Sequence, residues 1–471
     1  MKDRIPLWIA GLGLIAAASS AGAGEDARFE NLGVPVTKAM LMATAVGPDA
    51  TGKKELLYFD FAQTGSTLFL VAVDPDTGEA RQYKAPVGPG AWALVRGPDE
   101  KMYLGTWESG CILRFDPQAP DKGLEVIGKP SETETYIWQY AIGKDGKLYG
   151  CTYGNAKLVS YDPKTGRMQD LGRMDDTQMY TRSVACGPTG KIYTGIGYGR
   201  ANVVAYDPAT RSHISILQEK YRTQNSASVH LGADGQVYAH CGNHAFRVED
   251  LSLVPIPADT VVKPAGLALC DGRTVTVGEI TAETGSFTLT DPKTGTATTR
   301  TFRYQGDGSL LFVVGLGPDE KVYGSTAMPL EMFVHDPATG ANRHLGNPTS
   351  VNGELYSMLA WRGLAGYPAI CSAQGKVYVA AGNRLLAFDP RDMRVVQTIV
   401  LPDTPLDISL GRHPDGLIWG LTARSVFAVD PSTGEVAVKA EAPVPIRCGF
   451  ALRDDAIYFG SSAHLWRYRF R

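Results

Sequence analysis

The sequence predicts an all-β protein, a β-propeller of four-stranded blades, and two observations support this prediction. First, Asp-Pro recurs at intervals of mostly about 45 residues, which is the length of a propeller blade. Second, the chain between these dipeptides consists of short β-branched and aromatic segments separated by turns rich in Gly and Pro. No helical periodicity is sustained, so a solenoid of helix pairs is excluded. The dipeptides begin at Asp74, Asp116, Asp162, Asp207, Asp291, Asp336, Asp389 and Asp430.

Each repeat contains two characteristic turns. The Asp-Pro dipeptide usually extends to DPxTG, as at 162–166, and a GPDEK-like turn lies upstream, as at 143–147. An aromatic residue follows the upstream turn by two positions, as Tyr149 does. Pro, Asp and Gly preset turn geometry, so we expect the recurring aspartates to be turn residues and not paired catalytic carboxylates. In the best-defined repeat the strands are predicted at 182–186, 192–196, 202–206 and 213–217.

Counting such units predicts about ten repeats of about 44 residues in one closed ring. The last unit has only three predicted strands, and residues 28–33 resemble the fourth strands of other units. An N-terminal strand at 28–33 would therefore complete the last blade and remove the exposed edges. The alternatives are two smaller propellers, or a seven- or eight-bladed ring with additions.

The N-terminus predicts export. Lys2 and Arg4 precede an apolar stretch at 6–18, and Ala21-Gly22-Ala23 has the pattern of a cleavage site. Residues 1–23 are therefore predicted to be a signal peptide and residues 24–471 the propeller, located in a periplasm or outside the cell. No second apolar segment follows that would predict a membrane span. A net charge of −3 offers no basic field for nucleic acid, and a closed propeller favours a monomer.

The site is expected on the face opposite the two short turns, because the variable loops lie there. Four residues are candidates for catalysis, namely His240, His230, Tyr180 and Arg182, and seven for substrate binding, namely Trp107, Tyr153, Trp138, Tyr198, Arg200, His244 and Arg222. Aromatic rings can cover the apolar face of a sugar, and arginine can pair a carboxylate in bidentate fashion. These residue types therefore predict an anionic poly- or oligosaccharide as the partner.

His240 is the sharpest departure from the repeat, because it stands where other units have Gly-Thr. It could be a general base or a metal ligand, with His230 completing the site, or simply a loop histidine. Arg182 could neutralise a carboxylate beside Tyr180 as acid or base, or it could form a hydrogen bond between blades. No zinc-ligand spacing, P-loop or Rossmann fingerprint is present. A divalent cation is left open, and no cofactor is predicted with certainty.

The repeat resembles known propellers. The pattern GPD-x-K-x-Y-x-G-T, as at 97–106, then a strand, then a DPxTG turn, as at 162–166, is similar to the blades of streptogramin-lyase-like secreted propellers. That wider group includes polysaccharide lyases and glycosidases. The resemblance implies a secreted lyase that cleaves a uronate-containing glycan by β-elimination, with a His or Tyr base and Arg or a metal neutralising the carboxylate. The alternatives are a hydrolase, or a non-catalytic propeller that binds a glycan or a protein. The segment 429–434 also resembles the quinoprotein repeat, but its tryptophan is absent, so PQQ is not expected.

Overall fold

A computed structural model of the chain describes residues 26–326, 329–346, 370–392 and 394–471. The predicted signal peptide at 1–23 lies outside the described residues. Within the described ranges the protein is nearly all β, with 39 strands and three short 3-10 helices, Pro120–Lys122, Glu219–Tyr221 and Ala258–Thr260. None of the helices in these ranges is long and apolar enough to cross a membrane. The all-β prediction is confirmed.

The strands form repeated antiparallel sheets, numbered here in chain order. β1 (Phe29–Asn31) belongs to sheet ten. Sheet one contains β2 (Met40–Pro48), β3 (Glu55–Ala62), β4 (Phe69–Val73) and β5 (Ala80–Lys84), and sheet two contains β6 (Ala91–Arg96), β7 (Met102–Thr106), β8 (Ile112–Phe115) and β9 (Leu124–Gly128). Sheet three contains β10 (Tyr136–Ile142), β11 (Leu148–Tyr153), β12 (Lys157–Asp162) and β13 (Arg167–Arg173), and sheet four contains β14 (Tyr180–Cys186), β15 (Ile192–Gly197), β16 (Asn202–Asp207) and β17 (Ser212–Ser215).

The remaining sheets continue the pattern. Sheet five contains β18 (Ala227–Leu231), β19 (Val237–Cys241), β20 (His244–Glu249) and β21 (Ser252–Ile256), and sheet six contains β22 (Thr274–Ile280), β23 (Thr284–Thr290) and β24 (Ala297–Arg303). Sheet seven contains β25 (Leu311–Leu316), β26 (Val322–Thr326), β27 (Met332–Asp336) and β28 (Ala341–Gly346), and sheet eight contains β29 (Ile370–Ala373), β30 (Lys376–Ala381), β31 (Arg384–Asp389) and β32 (Arg394–Val400). Sheet nine contains β33 (Pro405–Arg412), β34 (Ile418–Thr422), β35 (Ser425–Val429) and β36 (Val436–Glu441), and sheet ten contains β37 (Cys448–Leu452), β38 (Ala456–Ser461) and β39 (His464–Arg469).

Three details depart from plain four-stranded repetition. Sheets three and four are joined into one eight-stranded sheet by a single pairing, Tyr153 with Tyr180. Sheet six has three strands among the described residues. β1 pairs antiparallel with β39, which places Glu30 opposite Arg467. The N-terminal and C-terminal strands therefore share one sheet, and the repeated four-stranded sheets are consistent with propeller blades.

The recurring turn motif is explained by a local contact between its glycine, aspartate and tyrosine. The Tyr149 hydroxyl donates a hydrogen bond to Asp145 at 3.0 Å. A Cβ on Gly143 would lie 2.6 Å from the Tyr149 ring, so the ring covers a position where only glycine fits. The same hydrogen bond recurs from Tyr103 to Asp99, from Tyr238 to Asp234 and from Tyr323 to Asp319. In these four units the first turn is thus stabilised by the tyrosine that follows it.

The recurring Asp-Pro aspartates are turn residues, as expected. The Asp162 carboxylate accepts the backbone N–H of Lys164 at 2.9 Å, and its carbonyl accepts that of Gly166 at 2.8 Å. Aspartate stabilises turns in this way by accepting the backbone N–H two residues on. These carboxylates are therefore committed to the backbone. The seven cysteines, all within the described residues, are free thiols, and Cys151, Cys241 and Cys448 are buried.

The chain divides into two compact units. Of the described residues, unit one contains 41–62 and 67–304, and unit two contains 26–40, 63–66 and 305–471 with its gaps. In unit one, sheet one packs on sheet six through Phe59 and Phe302, whose ring centroids are 4.5 Å apart. In unit two, sheets seven and ten share an apolar cluster that includes Leu311 and Cys448. The candidate site lies wholly within unit one.

Candidate functional site

The site is built on a β-bulge that recurs on the first strands of sheets two, three and four. In sheet two, Ala91 pairs with Thr106 and Ala93 with Gly105, so Trp92 is the extra residue. The same shift makes Trp138 the extra residue of β10 and Arg182 that of β14. A bulge removes one residue from the ladder and redirects its side chain. Three consecutive sheets therefore present Trp, Trp and Arg from equivalent positions.

The bulged side chains meet each other. The Trp92 and Trp138 ring centroids are 5.1 Å apart, and the Arg182 guanidinium carbon lies 5.4 Å from the Trp138 ring centroid. Arg182 also lies 5.5 Å from the Tyr180 ring. Such distances are those of aromatic and cation–π contacts. The bulges thus bring residues from three sheets into one continuous surface.

More rings extend this surface at both ends. Trp107 contacts Trp92 at 5.2 Å between centroids, Trp138 contacts Tyr180 at 5.8 Å, and Tyr180 contacts Tyr198 at 5.7 Å. The aromatic row is defined here as Trp107, Trp92, Trp138, Tyr180 and Tyr198, with Tyr136 and Tyr153 packed beside it. Exposure rises along the row, because Trp107 is 3% exposed and Tyr198 is 61% exposed. The row therefore runs from the packed interior to solvent.

Several polar groups in and beside the row have no hydrogen-bond partner in the described part of the chain. The indole N–H groups of Trp92 and Trp138 are buried and have no hydrogen-bond partner among the described residues. Arg182 is exposed and forms cation–π contacts, and it has no ion pair or side-chain hydrogen bond to another residue in the described part of the chain. A guanidinium over ring faces keeps its N–H donors for other acceptors. Arg182 is therefore suited to receive an anion.

The loops beside the row are held by buried acids. Glu134 is 2% exposed, and its carboxylate accepts hydrogen bonds from the Thr152 hydroxyl at 2.6 Å and the Asn155 side chain at 2.9 Å. Arg173 in turn donates to the Asn155 carbonyl oxygen at 3.2 Å. Fully hydrogen-bonded buried carboxylates fix the groups around them. Glu134 therefore fixes the end of β11, which carries Tyr153, and the turn that follows it.

Arg222 and Arg200, which the sequence predicts to bind substrate, are engaged in ion pairs. Arg222 donates to Asp175 at 3.0 Å, and the Asp175 side chain is 5% exposed. Burial opposes ionisation of Asp175, but hydrogen bonds from Thr177 and Asn202, with the Arg222 charge, lower the pKa of its carboxyl. Arg200 pairs with Glu219. Both guanidinium groups therefore have partners within the chain, which leaves Arg182 as the better anion receptor.

The two predicted catalytic histidines lie together, on the neighbouring sheet five. The His230 and His240 rings stack with centroids 5.6 Å apart, and His230 Nε2 is 3.0 Å from the carbonyl oxygen of Val262. Burial, together with the nearby His230, lowers the pKa of His240. His240 is therefore kept neutral and could accept a proton. This pair lies on β18 and β19 of sheet five, whereas Tyr180 and Arg182 lie on β14 of sheet four.

The other predicted residues fall into the same two places. Trp107, Trp138, Tyr153, Tyr180, Tyr198 and Arg182 are brought together in the aromatic row or beside it. His244 stacks on Tyr221 at 4.7 Å, and the predicted turn at Gly242 is present between β19 and β20. Sequence analysis missed Trp92, although its place before a small residue in Ala91–Ala93 matches that of Arg182 in 181–183.

Asp60 is a buried acid behind the row that sequence analysis did not single out. It lies on β3 between two phenylalanines and is 0% exposed. Burial raises the pKa of its carboxyl well above the ordinary value, although the nearby backbone N–H of Ala91 partly opposes this. Neither oxygen has a hydrogen bond of normal geometry among the described residues. Asp60 therefore keeps its proton at pH values where an exposed aspartate is ionised, and it lies next to Ala91, the residue that precedes the Trp92 bulge.

Among the described residues, no group of three or more His, Cys, Asp or Glu side chains converges as a metal site would require.

Comparison with known proteins adds little beyond the fold. No protein-family model matches the chain, and no curated protein is similar to it in sequence. A streptogramin B lyase structure matches with 12% identity and a TM-score of 0.38, over 64% of this chain and 96% of that chain. A virginiamycin B lyase from Staphylococcus aureus matches with 10% identity and a TM-score of 0.32, over 81% and 95% respectively. The extracellular domain of a protein assigned to the hybrid two-component systems of B. thetaiotaomicron matches with 11% identity and a TM-score of 0.31, over 91% and 68%.

Proposed function

We propose that the aromatic row of unit one binds an anionic carbohydrate, such as a uronate-containing oligosaccharide. The observation that supports this is Arg182, an exposed guanidinium seated over the rings of Trp138 and Tyr180. Aromatic rings cover the apolar face of a sugar, and a guanidinium pairs a carboxylate through two parallel hydrogen bonds. The row supplies both kinds of contact side by side.

Tryptophan fluorescence titration tests this proposal, because Trp92 and Trp138 lie in the row. We expect polygalacturonate or a glucuronate-containing polysaccharide to change the emission, and Tyr198→Ala with Arg182→Leu to weaken the response. Arg167→Leu is the matched control, since Arg167 is an exposed arginine at the start of β13, directly after the DPxTG turn at 162–166, and is not part of the row. The absence of saturable binding to any uronate-containing glycan would refute carbohydrate binding at this site.

A lyase is the second candidate, and the adjacency of Tyr180 to Arg182 favours it. In this scheme a base removes the proton alpha to the uronate carboxylate, while Arg182 neutralises the developing enediolate. The bond to the leaving glycosyl oxygen then breaks, a carbon–carbon double bond forms, and the leaving oxygen takes up a proton. Tyr180 is the candidate base or acid within the row, whereas His230 and His240 form the alternative base pair.

Elimination creates a double bond conjugated to the carboxylate, which absorbs at about 230 nm. Absorbance at that wavelength during incubation with uronate polysaccharides therefore tests the lyase. A rising band supports elimination, and its loss on chelation would add a metal to the scheme. New reducing ends without the band would indicate a hydrolase. An unchanged rate in the double variant His230→Ala, His240→Ala would remove these histidines from the reaction, and Tyr180→Phe tests the tyrosine separately.

We also propose that residues 1–23 are removed on export to a periplasm or the cell exterior. Lys2 and Arg4, the apolar stretch and the Ala21-Gly22-Ala23 pattern support this. N-terminal sequencing of the protein recovered from the periplasm or medium should give Gly24 as the first residue. Recovery only from the cytoplasm with Met1 retained would contradict it.

We further infer that the six sheets of unit one form a propeller of their own, which corresponds to the alternative of smaller propellers. In a single ring of ten consecutive blades, sheets one and six would not be neighbours. The packing of Phe59 on Phe302, and of Phe61 on Tyr304 at 4.3 Å, supports their adjacency. An experimental structure in which these rings do not meet would overturn this inference.

A further inference from the structure

We propose that Arg182 receives an acidic sugar inside a glycan chain and not at its end, so that Arg182 determines where the charged residue sits along the row. The inference rests on the proposed function, because it concerns the same aromatic row. It adds the order of the sugar units in the ligand, with neutral units on both sides of one acidic unit.

The position of Arg182 in the row carries the argument. Its guanidinium carbon is nearly equidistant from two rings, 5.4 Å from Trp138 and 5.5 Å from Tyr180. These two rings are themselves 5.8 Å apart. Beyond them the row continues in both directions, to Trp92 on one side and to Tyr198 on the other. The charged group therefore stands within the row, with the half-buried ring of Trp92 on one side and the exposed ring of Tyr198 on the other.

The row also has one charged position and not several. The bulges of sheets two and three present Trp92 and Trp138 where sheet four presents Arg182. The other arginines predicted for the site, Arg200 and Arg222, are paired with Glu219 and Asp175. A glycan with acids at every unit would leave carboxylates over indole rings, without a counter-charge and partly desolvated. The row therefore favours a glycan with isolated acidic units.

The affinity for a glycan should combine two contributions, one from the hydrogen bonds of Arg182 and one from the flanking rings. A free uronate can use the Arg182 hydrogen bonds but not the flanking rings, whereas a neutral oligosaccharide can use the rings but not the charge. A trisaccharide with a central acid uses both at once. Hydrogen bonds to charged groups contribute about tenfold to a hundredfold in affinity. We expect the central-acid trisaccharide to bind tightest.

The experiment compares four probes by isothermal titration calorimetry with the mature protein. The probes are glucuronic acid, a neutral β-1,4-linked glucose trisaccharide, and two trisaccharides of the same linkage with glucuronate at the centre or at an end. For the wild type, the central acid should bind about tenfold or more tightly than the neutral trisaccharide, and more tightly than the terminal acid.

Variants separate the charge from the rings. Arg182→Leu should reduce the affinity for the central-acid trisaccharide to that for the neutral one. Arg182→Lys should recover part of the loss, because lysine keeps the charge but not the paired donors. Tyr198→Ala should weaken both trisaccharides and leave free glucuronate unchanged. Arg167→Leu, an exposed arginine at the start of β13, serves as the matched control with wild-type affinities.

The outcomes distinguish this inference from the function beneath it. Binding of the trisaccharides with equal affinity for central and terminal acid, or insensitivity to Arg182→Leu, would overturn the inference and leave carbohydrate binding intact. Tighter binding of a fully acidic trigalacturonate than of the central-acid probe would overturn it too. No binding of any probe or of uronate polysaccharide would overturn both.

Discussion

Replacing Asp60 by Asn should stabilise unit one relative to the wild type, and this difference in the free energy of unfolding should grow as the pH rises. Asp60 is 0% exposed, and its pKa is raised well above 3.8 by burial. An unfolded aspartate loses its proton near pH 3.8, whereas the folded one keeps it to a higher pH. Between these two values the folded state binds more protons, so the stability of the wild type falls as the pH rises. Asn cannot ionise, so the variant does not lose stability in this way as the pH rises.

The slope of the effect is fixed by linkage. One proton held only by the folded state changes the free energy of unfolding by about 1.4 kcal/mol per pH unit. Because the carboxyl is wholly buried, solvent does not screen this effect. The difference in stability between Asp60→Asn and the wild type should therefore grow at about this rate from near pH 4 upward, until the pH reaches the folded pKa.

Equilibrium urea unfolding, followed by tryptophan fluorescence, measures this difference. The measurements should run from roughly pH 4 to pH 8, the range over which proton binding by the carboxyl affects stability. Asp60→Leu is the companion variant, since it also removes the ionisation but introduces no amide. Both variants should lose the same pH dependence even if their stabilities at acid pH differ. A constant difference between wild type and Asp60→Asn over the whole range would refute the argument that burial raises the pKa of Asp60.

Three further predictions concern the loops, the turns and the histidines. Arg222→Leu should destabilise the protein by about 3 kcal/mol, because it leaves Asp175 buried without its cation, and thermal unfolding would show this as a lower midpoint. Tyr149→Phe should cost about 1 kcal/mol through loss of the 3.0 Å hydrogen bond to Asp145, and an unchanged urea midpoint would contradict that. The lowered pKa of His240 means that wild-type stability is lost as the pH falls below 6.5, so His240→Gln should flatten this part of the pH profile of unfolding.

The repeat could be predicted from the sequence because its signals are local. The turn at 143–147 and Tyr149 lie within a few residues of each other, and the hydrogen bond that joins them needs no distant partner. Sheet six shows where such reasoning ends. Four strands were expected in every unit but the last, yet the residues of sheet six before Thr274 form only an isolated bridge between Ala268 and Thr274. Nothing in the local turn pattern reports the missing strand.

The candidate site could be predicted in composition but not in arrangement. The rings of Trp138, Tyr180 and Tyr198 were expected at one face, and they meet there. What the sequence could not show is the ion pairing of Arg222, because Asp175 lies 47 residues away in the chain. Strand alternation also assigns side chains to faces by simple counting, and a bulge breaks that count at Trp92.

The recurring bulge has a consequence for how such a protein can change. Since the bulged residue takes no part in the ladder, its replacement leaves the pairing of the strand around it intact, as Trp at 138 and Arg at 182 already illustrate. A single codon at each of these positions could therefore alter what the surface recognises, while the scaffold stays the same. Each sheet of this kind offers one such independent position. The recognition surface can be rewritten one sheet at a time.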